Sequence, residues 1–84
     1  MRIDYTQKFK KQFKRLPQEI QQKVTRMLDL LVQNPQYPSL RLHKMHGRER
    51  WEISVTRNYR ITFEIRGNVY FLRSVGVHDI LNKS

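Results

Sequence analysis

The sequence predicts an α+β domain: two N-terminal helices packed on a four-stranded, mostly antiparallel sheet, in the order β-α-α-β-β-β with a short C-terminal turn. Three observations carry that expectation. Between Arg50 and His78, three runs rich in β-branched and aromatic residues are separated by two polar breaks, Thr56–Arg57–Asn58 and Gly67–Asn68, the pattern of an antiparallel meander. Upstream, Phe9, Phe13 and Leu16, then Ile20, Val24, Met27, Leu28 and Leu31, recur at helical spacing. Pro17 and Pro35 bracket the second of these stripes.

Arg2 to Tyr5 alternates, with Ile3 and Tyr5 on one side, and reads as an edge or returning strand. Thr6 is a good N-cap for the first helix. Pro17 stops that helix and suits the first turn of the next, with Glu19 placed to favour the dipole. The second helix ends at Asn34, because a residue before proline avoids the helical region. Pro35 to Leu42 is an irregular connection anchored by Tyr37, Leu40 and Leu42, and His43 to Gly47 leads into the meander. After Gly76 a tail, VHDILNKS, is expected to form one helical turn with Ile80 and Leu81 docking back.

Within the meander, Trp51, Ile53 and Val55 alternate with Glu52, Ser54 and Thr56, and Tyr59, Ile61, Phe63 and Ile65 alternate with Arg60, Thr62, Glu64 and Arg66. A two-residue primed turn at Gly67–Asn68 sets Ile65 opposite Tyr70, Phe63 opposite Leu72 and Ile61 opposite Ser74. Phe71, Arg73 and Val75 then join Arg60, Thr62 and Glu64 on the other face. A three-residue loop, with Asn58 in the left-handed region, sets Trp51 opposite Phe63, Ile53 opposite Ile61, Glu52 opposite Thr62, Ser54 opposite Arg60 and Arg50 opposite Glu64. One face is apolar. The other is polar, and is the place to look for function.

Eighty-four residues make a single domain, 1–84, with no cysteine to staple it. A 38% hydrophobic share with nine aromatic residues is too apolar for a disordered tail. No run approaches transmembrane length and the start MRIDYTQK lacks the apolar core of a signal peptide, so a cytoplasmic location without membrane contact is expected. Seventeen Lys and Arg against seven Asp and Glu give +10, shared evenly between residues 1–34 and 35–84. Such a balance favours phosphate backbones or an acidic protein partner.

The LxxHKMxG lead-in, the WEISVTRNYRITFEI hairpin and the closing FLRSVGVHD, with the order of elements and the basic composition, resemble the RelE/ParE toxin superfamily of type II toxin–antitoxin systems. The resemblance implies a RelE-like domain with a cognate antitoxin, small and acidic or amphipathic, as partner. Its RelE branch implies a metal-independent, cofactor-free endoribonuclease that cleaves mRNA on the ribosome; its ParE branch implies a DNA gyrase inhibitor without nuclease activity. Residue by residue, the family's arginine after an aromatic matches Arg60 after Tyr59, and the basic residue past the last strand's glycine matches His78. The tail lacks the tyrosine that some members carry there.

RNA cleavage without metal needs a base for the 2′-hydroxyl, cations for the phosphate charge and an acid for the leaving oxygen. Arg60 and Arg73 supply cations from neighbouring strands; the ordinary alternative for Arg60 is an ion pair with Glu52 or Glu64. His78 titrates near neutrality and fits acid or base, or else caps the tail. Glu52 is a candidate base, but the arginines beside it favour its charged form and hence an ion pair. His43 and His46 have no third ligand at a convincing spacing, so no metal is expected. Lys8, Lys11, Lys14 and Arg15 on the first helix, with His43, Lys44, Arg48, Arg50 and Arg57, are candidate RNA contacts, and Phe71 is placed to stack a base. Arg60 is expected to be exposed, so that its loss should hardly touch stability. A helix-turn-helix reading of the helix pair fails because Leu16–Pro17 leaves almost no turn.

Overall fold

A strand opens the chain and ends up beside the last one. In the computed structural model, which describes residues 1–47 and 49–77, β1 (Arg2–Tyr5) is followed by α1 (Gln7–Lys14), α2 (Gln18–Gln33) and a 3-10 turn (Pro38–Leu40). Then come β2 (His43–Lys44), β3 (Trp51–Ser54), β4 (Tyr59–Arg66) and β5 (Val69–Val77). The sheet order is β1-β5-β4-β3-β2. β1 runs parallel to β5, from Arg2 opposite Val69 to Tyr5 opposite Leu72, and every other pairing is antiparallel.

The α+β layering is as the sequence predicts, but the sheet has five strands and not four. The extra one is β2, which pairs His43 with Glu52 and Lys44 with Trp51. Two residues are too few to show an alternation, so only the backbone pairing reveals them. β5 also runs on through Gly76 and Val77. The expected tail turn with Ile80 and Leu81 lies outside the described residues.

Local chemistry explains the helix ends. The Thr6 hydroxyl accepts a hydrogen bond from the Phe9 amide at 3.0 Å, as an N-cap should. Pro17 stands at the N-cap of α2, one position before the first turn expected of it, and Asn34 closes the helix ahead of Pro35. Between the helices, Gln21 Nε2 donates to the Phe13 carbonyl at 2.9 Å, which it shares with the Leu16 amide at 3.1 Å, so the end of α1 is tied to α2.

Phe9, Val24, Leu31 and Leu40 meet Ile53, Ile61, Phe63, Tyr70, Leu72 and Val75 in one buried core. Each such side chain contributes about 1.5–3 kcal/mol by leaving water. The Phe63 and Tyr70 rings pack edge to face with centroids 5.5 Å apart. No helix among the described residues is long and apolar enough to cross a membrane.

The β3–β4 register matches expectation at every pair: Trp51 with Phe63, Glu52 with Thr62, Ile53 with Ile61, Ser54 with Arg60. Its loop does not use Asn58 in the left-handed region. Instead the Thr56 hydroxyl accepts from the amides of Asn58 and Tyr59, and the amides of Val55 and Thr56 both donate to the Tyr59 carbonyl. At Gly67–Asn68 only Gly67 has positive φ, the demand of a type II′ turn.

The β4–β5 register begins as predicted and then slips. Ile65 faces Tyr70 and Phe63 faces Leu72, but Thr62 faces Ser74 and Ile61 faces Val75. A bulge at Arg73 causes the slip. It turns Val75 into the core and Ser74 away from it, reversing the expected faces of both. The reason is apolar burial: Val75 is worth more inside than Ser74. Thr6 and Gln12 hold the bulge, since the Thr6 hydroxyl donates to the Arg73 carbonyl at 3.1 Å and Gln12 Oε1 accepts from the Val75 amide at 2.9 Å.

Candidate functional site

The helices cover one face of the sheet, and alternation puts Glu52, Ser54, Arg60, Thr62 and Glu64 on the other. Two arginine clusters form there. In the first, Arg60 Nη1 donates to Ser54 Oγ at 3.0 Å and Nη2 to the Arg57 carbonyl at 2.9 Å. Glu52 Oε1 lies 4.0 Å from Arg60 Nη1 and 3.4 Å from His43 Nε2. The other His43 nitrogen, Nδ1, is 2.8 Å from the Arg41 carbonyl. Both ring nitrogens thus face oxygen acceptors.

Burial corrects two expectations. The Glu52 side chain is only 2% exposed and that of Arg60 only 17%, because the long guanidinium folds back along the sheet over its neighbours. Arg60 is therefore not the exposed residue that strand alternation suggests. A carboxylate so buried does not reach a substrate hydroxyl, and Glu52 serves as the anchor of Arg60 and His43.

The second cluster is built on Glu64. Arg50 Nε and Arg73 Nη1 lie 3.5 Å and 3.1 Å from its Oε2, and Arg66 Nη2 lies 3.0 Å from its Oε1. Three cations on one carboxylate leave a local charge of +2. Arg66 also lies over the Phe71 ring, 4.5 Å from its centroid, a cation–π contact that occupies one face of the expected stacking platform.

The sequence grouped Arg60 with Arg73; the structure gives each its own acid. Arg50 reaches Glu64, which the expected register set opposite it, and Arg73 joins it there. Lys44 pairs with the exposed Glu49 at 3.0 Å. Lys8, Lys11, Lys14 and Arg15 are exposed on the helix layer, across the sheet from Arg60. Arg57 is exposed on the β3–β4 loop. His78 and Arg48 lie outside the described residues. Among the described residues no three acidic, histidine or cysteine side chains gather as metal ligands.

Sequence reasoning missed the link from Arg41 through His43 to Glu52. Arg41 has φ 50°, the one positive φ among non-glycine residues described, and nothing in its residue type announces it.

No protein-family model matches the sequence, and no curated protein sequence is similar to it. Solved structures are. YafQ from E. coli superposes with a TM-score of 0.80 at 16% identity over 94% of each chain. A YoeB/ParE toxin from Agrobacterium tumefaciens gives 0.78 at 13% identity, over 93% of this chain and 99% of its own. The RelB–RelE antitoxin–toxin complex from Methanococcus jannaschii gives 0.72 at 23% identity over 95% of each chain. The fold is that of the RelE/ParE toxins. In this RelE/ParE-like frame the open sheet face is the one that carries Arg60, and the helix layer carries the lysines.

Proposed function

We propose that this chain is the toxin of a type II toxin–antitoxin pair, acting in the cytoplasm as a ribosome-dependent mRNA endoribonuclease. The observation that carries the reading is Arg60: a guanidinium fixed by Ser54, Arg57 and Glu52 yet still partly open on a basic sheet face. In such a reaction the RNA 2′-oxygen attacks the adjacent phosphorus, the 5′-oxygen leaves, and a 2′,3′-cyclic phosphate and a 5′-hydroxyl result. Arg60 would face the phosphate and bind the charge that builds on its oxygens. His78 is the candidate to move the proton. With Glu52 buried, the ribosome would position the substrate and supply much of the rest.

The same burial favours a second reading. With Glu52 buried and Glu64 held by three arginines, neither carboxylate of this face is placed to act as a base, which suits a ParE-like gyrase inhibitor that needs none. The partner in either case is an antitoxin, as RelB and DinJ are for RelE and YafQ in the solved toxin–antitoxin complexes. An apolar cleft of about 370 Å³ between β1 and the helices, lined by Ile3, Phe9, Phe13 and Leu28 with Lys10 and Lys14 beside them, suits an amphipathic segment with an acidic edge.

Expression of the chain in growing cells tests the reading. Protein synthesis should stop with codon-positioned cuts in translated mRNA, and naked RNA should be cut poorly. Arg60→Lys keeps the charge and loses the fork, and should lower cutting about a hundredfold, as removal of an oxyanion donor does. Lys23→Gln on α2 should change nothing. Intact mRNA with a DNA-damage response would move the assignment to gyrase.

A further inference from the structure

Between the 3-10 turn and the β3–β4 loop lies a cleft of about 590 Å³, lined by Ser39, Arg41, Ser54, Val55, Thr56, Arg57 and Arg60. Its chemistry is one-sided. Among the described residues three arginines line it and no carboxylate does; Glu52 and His43 sit behind Arg60 and Arg41. The hydroxyls add to the bias. Ser54 Oγ already accepts from Arg60, and Thr56 Oγ1 accepts from two amides. Each hydroxyl still has its own proton to give. The cleft therefore offers donors and almost no acceptors, which is what an anion with several oxygens requires.

Two further features point to a ligand. Arg60 Nε is buried without a hydrogen-bond partner among the described residues, so the fold alone does not fully compensate this guanidinium for lost water. Arg41 is held at φ 50° and ψ 43°, a strained conformation for a side chain with a Cβ. Its amide donates to the Pro38 carbonyl at 3.1 Å, and its own carbonyl lies 2.8 Å from His43 Nδ1. His43 in turn reaches Glu52, and Glu52 reaches Arg60. One network thus fixes two of the three arginines that line the cleft.

We propose that this cleft holds a backbone phosphate of the RNA substrate, with Arg41 and Arg57 as binding residues alongside Arg60 and with Ser54 and Thr56 donating to the phosphate oxygens. The proposal rests on the nuclease reading for its substrate but is tested apart from it. Inorganic phosphate and a short 2′-O-methylated oligoribonucleotide, which cannot be cut, are titrated into the purified protein and followed by amide NMR. The amides of Ser39, Arg41, Thr56 and Arg57 should shift together.

Arg41→Gln and Arg57→Gln should each weaken oligonucleotide binding about tenfold, the worth of a charge-assisted hydrogen bond. Each should also flatten the salt dependence by about 0.7 in log–log slope, one phosphate contact on a single strand. Arg41→Gly separates binding from folding. It relieves the left-handed strain, so the melting temperature should hold or rise while binding falls as in Arg41→Gln. Shifts confined to the α1 lysines, or affinities within twofold of wild type in both glutamine variants, overturn the proposal. If mRNA cutting is lost in Arg60→Lys but kept in Arg41→Gln and Arg57→Gln with normal binding, the nuclease reading survives and the cleft does not. If the wild-type chain cuts no mRNA while Arg41→Gln still loses the oligonucleotide, the nuclease reading falls and the cleft remains an RNA-phosphate site.

Discussion

A guanidinium bonded to Ser54 and Arg57 beside a buried carboxylate belongs to the fold as much as to the site. Arg60→Ala would strip Glu52 of a cation inside the sheet, and should destabilise the domain by about 2–3 kcal/mol. That corresponds to a fall of about 10–20 °C in melting temperature for a domain of this size. Urea unfolding reads the loss directly, and a change under about 0.5 kcal/mol would show that Arg60 supports nothing. Strand alternation gave the side of the sheet on which Arg60 lies, but not the path of its side chain. Tyr70 gives a different residue-scale prediction. Burial against Phe63 pushes its phenol above the usual value, since the charged form loses its water. The unfolded chain then ionises first, so the stability is complete below about pH 10 and falls as pH rises through the higher folded value. Stability measured from pH 9 to 12 should decline more steeply in wild type than in Tyr70→Phe; equal slopes would count against a buried phenol.

At the level of elements, the bulge in β5 depends on the start of α1. Thr6 caps the helix through the Phe9 amide and donates to the Arg73 carbonyl, while Gln12 takes the Val75 amide. Thr6→Ala removes both bonds and should cost about 1.5–3 kcal/mol. Gln12→Ala leaves a shielded amide without a partner and should cost about 1–3 kcal/mol. Denaturant midpoints of the two variants check this, and losses within about 0.3 kcal/mol would detach the helix from the bulge. The helices, the meander and the β3–β4 register were legible because periodicity and proline report them directly. The bulge had a weaker signal: apolar residues at 70, 72 and 75 break a strict period of two. The Arg41–His43–Glu52 link had none, because a two-residue strand and a left-handed arginine leave no mark on hydrophobic patterning.

Across the whole molecule, a charge of +10 on 84 residues places basic groups on both layers, the lysines on α1 and the arginines on the sheet. An acidic antitoxin at a hundred times its Kd should stabilise the fold by about 2.7 kcal/mol. A thermal shift on titrating the product of an adjacent gene would show it, and an unmoved transition would exclude that product as the partner. The fold class was readable because layers follow from amphipathic patterns, whereas the parallel seat of β1 beside β5 needed the folded chain. That seat has a consequence for the order of events. Arg2 and Val69 are partners 67 positions apart, so closing this pair is the longest-range step the sheet requires. Synthesis delivers β1 first, yet β1 has nothing to pair with until β5 has emerged. The first strand of the sheet to be made is then the last to find its place, and until it does, Thr6 is not in position to lock the turn of chain at Arg73.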